Sequence, residues 1–292
     1  MKEFTFIVIT YNQEQYVVEH LNSIKNLIEL YGKDMSIDLV HADDKSRDGT
    51  VEVVRKWLDQ NRDLFRNVTV IEREKNVGTI RNIKSAIEAT KTEQFKFLAG
   101  DDKYNGENIF ELQKCGKMII TPVSPFGNPQ KDDLEILKLF YKLVLSHKNR
   151  KKLAALLGYA SVLPAPGVFL DSTFYRSKEL WDFLEQFRLI EDYPTWNYLL
   201  NKKEMDIEVE VLTKPYVCYR MSSGVSTGNK NSVFLEEERK ISEVLRVKTN
   251  RYPKYVNIYK YIYVLKRMVA KRLNTIETRA IDRVYVQSKE EK

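Results

Sequence analysis

From Phe4 to Asp102 the chain switches repeatedly between two hydrophobic periods. Phe4-Thr5-Phe6-Ile7-Val8-Ile9 is a short apolar run and predicts a buried strand. Val17, Leu21, Ile24 and Ile28 then recur at helical spacing. Ile37-Asp38-Leu39-Val40 predicts a second strand. Val51, Val54 and Leu58 mark a second helix, which opens after the turn-like Arg47-Asp48-Gly49-Thr50. A third strand at Val68-Thr69-Val70-Ile71 is followed by a helix through Ile80, Ile83 and Ile87. The fourth strand, Phe95-Lys96-Phe97-Leu98, runs into Ala99-Gly100-Asp101-Asp102. Strands alternating with helices predict an α/β fold, a mostly parallel sheet flanked by helices with right-handed crossovers. Ligands of such sheets bind at the carboxyl ends of the strands.

Beyond residue 120 the alternation loosens. Thr121 to Pro129 reads as a loop, and a basic helical stretch follows, ending at Lys148-Asn149-Arg150-Lys151-Lys152. Pro164-Ala165-Pro166-Gly167 is a second loop, before Val168-Phe169-Leu170. A helix is expected over Lys178–Phe187, leading to Ile190-Glu191-Asp192-Tyr193-Pro194. The segment Val217–Gly228 ends in a polar run, and two helices, Val233–Thr249 and Val256–Leu273, are expected to finish the chain.

The 292 residues give one large or two small domains, and 43% hydrophobic with 30% charged residues is ordinary globular composition. A span of about 18 apolar residues is missing, and so is a basic, apolar, small-residue leader at the N-terminus. Two cysteines, Cys115 and Cys218, make no disulfide framework, and three histidines argue against a histidine-built metal site. The expectation is a cytoplasmic, reduced protein. The net charge of +7 is concentrated in Arg251–Leu273, which holds seven basic residues and no acidic one. Nucleic acid is not expected as a partner, because the excess charge is not spread over the main domain.

Four polar features fall just past the predicted strand ends: Thr10-Tyr11-Asn12, Asp43-Asp44 through Thr50, Asn76-Val77-Gly78 with Arg81 and Asn82, and Asp101-Asp102. In a parallel sheet all four share one edge. Adjacent carboxylates repel unless a cation or hydrogen bonds compensate, so each Asp-Asp pair is either a capped, solvated turn or part of a site. Divalent magnesium or manganese suits such hard oxygens and shares its shell with substrate phosphates. Tyr11 offers a flat face to a base, and is equally a half-buried interface residue. Arg81 fits a bidentate anion contact or a solvated helix face.

Taken together, Ile7-Val8-Ile9-Thr10-Tyr11-Asn12, the Asp43–Thr50 segment, Asn76-Val77-Gly78-Thr79-Ile80-Arg81-Asn82 and Leu98-Ala99-Gly100-Asp101-Asp102 resemble glycosyltransferase family 2, in family order across residues 4–104. These are inverting enzymes of the GT-A fold, of the type that builds bacterial polysaccharides and glycoconjugates. The likeness extends more weakly through Pro166-Gly167-Val168-Phe169 and Glu191-Asp192-Tyr193 to about Ser226. It implies a glycosyltransferase domain over 1–228, with a nucleotide-binding half (1–104) and an acceptor half (105–228), and a helical extension over 229–292.

The resemblance also implies roles. Tyr11, with Thr10 and Asn12, packs on the nucleobase; Asp44 binds the base, usually uracil; Asp43 supports that loop. Asn76, Gly78 and Arg81 hold the nucleotide side. Gly100 precedes Asp101, which matches the last aspartate of the Asp-x-Asp metal motif; Asp102 follows it and Ala99 replaces the motif's first aspartate. A Mn2+ or Mg2+ ion is thereby implied on Asp101 and Asp102. Glu191-Asp192 matches the acceptor-activating pair, with Asp192 as base. Arg220 precedes a loop over the diphosphate, in which Ser222 replaces a frequent histidine.

The implied activity is transfer of a sugar from a nucleotide-sugar, usually a UDP-sugar, to a hydroxyl of a glycan or lipid-linked acceptor with inversion. Two other readings share this sheet: a sugar-phosphate nucleotidyltransferase, against which the missing glycine-rich phosphate loop at Ile7–Gln13 counts, and a non-catalytic binding descendant. Taken without the resemblance, Glu191-Asp192 is also an acidic helix start with Pro194 in its first turn. The basic segment Arg251–Leu273 has two readings. It lies on an anionic membrane, which would place the protein at the inner face of the plasma membrane, or it packs on the domain or on a second copy in a homo-oligomer.

Overall fold

The computed structural model describes residues 2–112, 115–158, 161, 163–221, 232–245 and 276–287. The Ser222–Gly228 run and the Arg251–Leu273 helix lie outside the described residues.

Strands β1 (Lys2–Thr10), β2 (Met35–Asp43), β3 (Asn67–Glu72) and β4 (Phe95–Ala99) form one sheet in the order β3-β2-β1-β4. All its pairings are parallel. The crossovers carry helices α1 (Val17–Tyr31), α2 (Thr50–Asn61) and α3 (Thr79–Ala89). Along β1 the side chains alternate between two cores: Phe4, Phe6 and Val8 pack with Leu21, Ile24 and Leu27 of α1, while Ile7 and Ile9 pack with Ile80, Ile83 and Ile87 of α3. Burial on both faces is why these strands are continuously apolar. The register pairs Thr10 with Asp43, Asp43 with Glu72, and Ile9 with Ala99. The four strand ends therefore lie side by side at one edge.

The second half adds β5 (Lys103–Tyr104), β6 (Lys117–Ile120), β7 (Val123–Gly127), α4 (Lys131–Ser146), α5 (Arg150–Leu157) and β8 (Val168–Leu170). Then come α6 (Ser172–Tyr175), α7 (Lys178–Leu184), α8 (Asp192–Asn201), β9 (Glu208–Val211) and β10 (Val217–Met221). Two small sheets result, β5-β10-β7 and β8-β6-β9. Strand β10 runs antiparallel to β5 and parallel to β7. It returns the chain to the residues just after Asp102.

Thr121–Pro129 is not all loop, because β7 lies within it. Proline argues against a central strand, but β7 is an edge strand, where Pro125 has one side without a strand neighbour and its missing N–H is tolerated. The basic stretch divides into α4 and α5 at Asn149, whose side chain accepts the Lys152 N–H at 3.0 Å. Helix α7 stops at Leu184, short of Phe187.

Helix α8 is pinned at its far end by Arg150. The guanidinium donates to the carbonyls of Leu199 at 3.4 Å and Leu200 at 3.0 Å, and also to those of Lys202 and Met205. A cation among these orphan carbonyls offsets the negative end of the helix.

Helices α9 (Ser232–Val244) and α10 (Ile276–Gln287) share the larger core through Ile241, Ile281 and Tyr285. Tyr285 stacks on Tyr141 of α4 at 6.4 Å. Asp282 accepts from Lys142 at 2.9 Å and pairs with Lys138 at 3.1 Å.

Candidate active site

The strand-end edge opens into a cavity of about 490 Å³. Thr10, Tyr11, Asp44, Asn76, Asp101, Asp102, Glu191, Asp192 and Arg220 all line it. Residues separated by most of the chain thus share one space.

Asp44 lines the cavity. Its Oδ1 accepts the Val77 N–H at 2.7 Å and its Oδ2 the Gly78 N–H at 2.8 Å. Its own backbone N–H bonds the Thr10 carbonyl at 3.0 Å. The carboxylate is thereby fixed at the cavity wall with lone pairs remaining. Burial raises its pKa, against the pull of those two N–H groups. Gly78 has φ +91°, and a Cβ there would meet Arg188 Cγ at 2.3 Å. Only glycine suits both demands.

Behind this wall a directed chain of hydrogen bonds fixes the loop. Thr10 Oγ1 donates to Asp43 Oδ2 at 2.8 Å, so the His41 Nε2–H donates to Thr10 Oγ1, also at 2.8 Å. Burial pushes His41 down to about 4, which keeps the ring neutral. Asp43 also accepts the Ser46 N–H at 2.7 Å, and the Ser46 hydroxyl in turn receives the Asn12 N–H at 2.8 Å. Asn12 adopts φ 53°, a left-handed conformation that asparagine tolerates, and accepts the Arg47 N–H at 2.8 Å. Asp43 and Asn12 thus act behind the cavity, supporting the loop. Tyr11 lines the cavity while 41% exposed, a face available for stacking.

Gly100 also sits behind the surface. A Cβ on it would meet Gln13 Oε1 at 2.8 Å and Thr10 Cγ2 at 2.9 Å. Asp101 and Asp102 follow, both nearly buried. His20 Nδ1 bonds the Asp102 carbonyl at 2.8 Å. From β10, the Arg220 N–H reaches Asp102 Oδ1 and its Nε reaches the Asp101 carbonyl, each at 2.8 Å. The Arg220 guanidinium lies 4.4 Å from the Tyr16 ring and 4.3 Å from the Phe126 ring. Burial, and then the charge of Asp101, push the Asp102 pKa well up. A divalent cation would relieve that repulsion, so the donor set fits a hard ion. Among the described residues no group of three or more His, Cys, Asp or Glu side chains converges as a full ligand set. An ion would therefore rest on Asp101 and Asp102 and complete its shell from substrate oxygens and water.

Arg81, which the resemblance implies on the nucleotide side, lies on the exposed face of α3, outside the cavity lining. Arg188 does line the cavity, and its Nη2 donates to Asn76 Oδ1 at 2.7 Å. Nothing local in the sequence distinguishes Arg188, since it comes to Asn76 only through tertiary folding. Asn82 was also underrated. Its Nδ2 is committed to the Ala42 carbonyl at 2.8 Å, and its buried Oδ1, on a residue lining the cavity, has no partner.

Glu191 and Asp192 line the cavity as well. Asp192 opens α8, and its Oδ1 accepts the Tyr193 N–H at 2.6 Å. Burial pushes both carboxyls up. The charge of Asp192 pushes Glu191 further, to about 8, while the Tyr193 N–H helps hold Asp192 at about 6. Such a pair titrates jointly, and its two protons belong to the pair rather than to either acid. Beneath them Lys96 is buried, with Nζ donating to the Val168 carbonyl at 2.8 Å, and burial pushes it down to about 7.

Residues 5–114 match the family model described as Glycosyl transferase family 2. Over that stretch the chain is similar to glycosyl transferase family 2. Across 99% of its length the chain is similar in fold to S. aureus TarS 1–349 in complex with UDP-GlcNAc, covering 81% of that chain at a TM-score of 0.55 and 20% identity. The complex of the same protein with UDP gives a TM-score of 0.54 over 94% of this chain and 74% of that one, again at 20% identity. The fold around residues 5–114 is thus GT-A-like. A teichoic acid poly(glycerol phosphate) polymerase of Staphylococcus epidermidis is 29% identical over 147 residues, 48% of this chain and 19% of that protein. An uncharacterized Mycobacterium tuberculosis protein is 28% identical over 98 residues, 34% of this chain and 26% of that one. The chain therefore spans about a fifth to a quarter of the length of these curated relatives.

Proposed function

We propose that the protein transfers a sugar from a UDP-sugar to a hydroxyl of a glycan or lipid-linked acceptor, inverting the anomeric centre, with Asp192 as general base. The observation that carries this reading is the shared cavity. Asp44 and Tyr11, Asp101 and Asp102, and Glu191 and Asp192 all line it. The similarity to a TarS complex with UDP-GlcNAc supports the nucleotide.

Asp44 accepts hydrogen bonds from the base while Tyr11 stacks on it. Asn76 and Arg188 hold the nucleotide side, and Arg220 brings positive charge to the diphosphate. A Mn2+ or Mg2+ ion on Asp101 and Asp102 would supply charge to the leaving diphosphate. An acceptor hydroxyl holds its proton too tightly to attack unaided at neutral pH. Asp192, ionised above about pH 6, takes that proton as the oxygen attacks the face opposite the diphosphate. Burial and the charge of Asp192 push Glu191 up, so the pair favours holding one proton, and Asp192 is the acid that takes the proton of the acceptor.

Among the described residues no helix is long and apolar enough to cross a membrane. A lipid-linked acceptor would then be reached from the membrane surface. Thermal-shift screening of UDP-, GDP- and dTDP-sugars, with and without manganese, tests the donor assignment by mass action. UDP compounds with manganese should raise the melting temperature most. Equal shifts for all three nucleotides, or none, would overturn it.

A further inference from the structure

One face of α9 carries Phe234, Glu237 and Ile241, all buried. An acid at the centre of a buried helix face is costly unless its oxygens are satisfied. Glu237 Oε1 meets this demand by accepting three consecutive backbone N–H groups: Arg188 at 3.0 Å, Leu189 at 2.7 Å and Ile190 at 2.7 Å. Successive N–H groups turned toward one point form an anion-binding nest, and here the anion is supplied by the protein itself. The same short segment is held from its other side, where the Ile80 N–H of α3 bonds the Arg188 carbonyl at 3.2 Å. The next two residues in the chain are Glu191 and Asp192. Leu189, Ile190, Val233 and Phe234 line the cavity beside that pair.

We propose that Glu237 is a positioning residue for the Glu191–Asp192 pair, its carboxylate holding residues 188–190 in the one arrangement that aims both acids into the cavity. The proposal rests on the reading of Asp192 as base. Glu237 touches neither substrate nor reacting atoms and acts through the backbone it holds. It also places negative charge near Glu191, which further faces Asp192 of α8, Lys96 of β4 and Tyr175 of α6.

The test uses the full chain with Glu237→Gln, Glu237→Ala and, as a charge control on the exposed side of α9, Glu236→Gln. Amide hydrogen exchange at residues 188–190 and carboxyl-carbon NMR titration of Glu191 and Asp192 need no turnover. UDP affinity and the rate of UDP release from UDP-GlcNAc are measured beside them. Glu237→Ala should speed exchange at all three amides and cut the rate by on the order of 10²-fold, a loss larger than any fall in UDP affinity that comes through Arg188. Glu237→Gln keeps an acceptor oxygen and should restore much of the exchange protection, yet still lower the pH at which Glu191 titrates, an effect that packing alone would not produce. Glu236→Gln should change neither. In an Asp192→Asn background, Glu237→Ala should cost nothing further, because both act on one step. Unchanged exchange and titration in Glu237→Ala, or an equal rate loss in both backgrounds, would overturn the role of Glu237. Wild-type turnover by Asp192→Asn alone would instead overturn the base assignment.

Discussion

Arg220 binds Asp102 through its backbone, the N–H meeting Asp102 Oδ1 at 2.8 Å, while its side chain stays with the Asp101 carbonyl. A residue of β10 and the acidic turn after β4 are thus one unit. The backbone bond survives any substitution at 220 but proline, so a side-chain variant isolates the guanidinium, which also pairs with Glu19. Lysine keeps the charge but not the planar fork stacked between Tyr16 and Phe126. Arg220→Lys should weaken UDP binding by roughly 10-fold to 100-fold, the loss of charge-assisted hydrogen bonds, with little change in melting temperature. Calorimetry on both proteins decides this.

Asp101 lines the cavity and, in the proposed mechanism, would hold the ion. Asp101→Ala should abolish the gain in UDP affinity that manganese confers, while affinity in chelator stays near wild type. Equal affinity for wild type and variant, with and without manganese, would remove the ion from the mechanism.

Asp192→Asn keeps size and most hydrogen bonding while removing the proton acceptor. Turnover should fall by roughly 10²–10⁴ with donor affinity intact. The wild-type rate should rise with pH through about 6, as Asp192 loses its proton. A flat profile there would assign the base elsewhere.

Glu191 makes a separate prediction about stability. Its pKa is raised from 4.5 to about 8 by burial and by the charge of Asp192. Between those values the folded state binds more protons than the unfolded state, so stability is fully present below 4.5 and falls as pH rises through about 8. Glu191→Gln removes that loss. The variant should melt a few degrees higher than wild type at pH 9, and the advantage should vanish at pH 4. Thermal melts at both pH values check the sign.

Thr10 joins His41 to Asp43 through one hydroxyl. Thr10→Val conserves shape and leaves both neighbours without that partner. The cost should be about 1–3 kcal/mol, read by urea unfolding, and UDP affinity should drop because the Asp43–Ser46 loop loosens.

The strand-end edge was legible in the sequence because β1 to β4 are short apolar runs separated by helical periods. Parallel order then puts Thr10, Asp44, Gly78 and Asp101 together without further information. Much of the rest depended on tertiary return of the chain. Arg81 lies on an exposed helix face away from the cavity lining, while Arg188 lines the cavity from a turn with no periodic signal. Pro125 hid an edge strand, since proline reads as a break unless the strand's missing neighbour is known. Glu237 is one of several glutamates on α9, and only the helix's packing against 188–190 distinguishes it from Glu236 and Glu238.

The cavity is lined from Ile9 to Phe234, and this order has a consequence for synthesis. Chains emerge from the ribosome N-terminus first, at roughly 5–20 residues per second. Asp44, Asp101 and Asp102 are translated early, but the arginines that share their cavity, Arg188 and Arg220, come late in the chain. The clamp on residues 188–190 arrives later still, with α9. A nascent chain therefore holds the carboxylates of its strand-end edge before it has either the cations that face them or the means to fix Glu191 and Asp192.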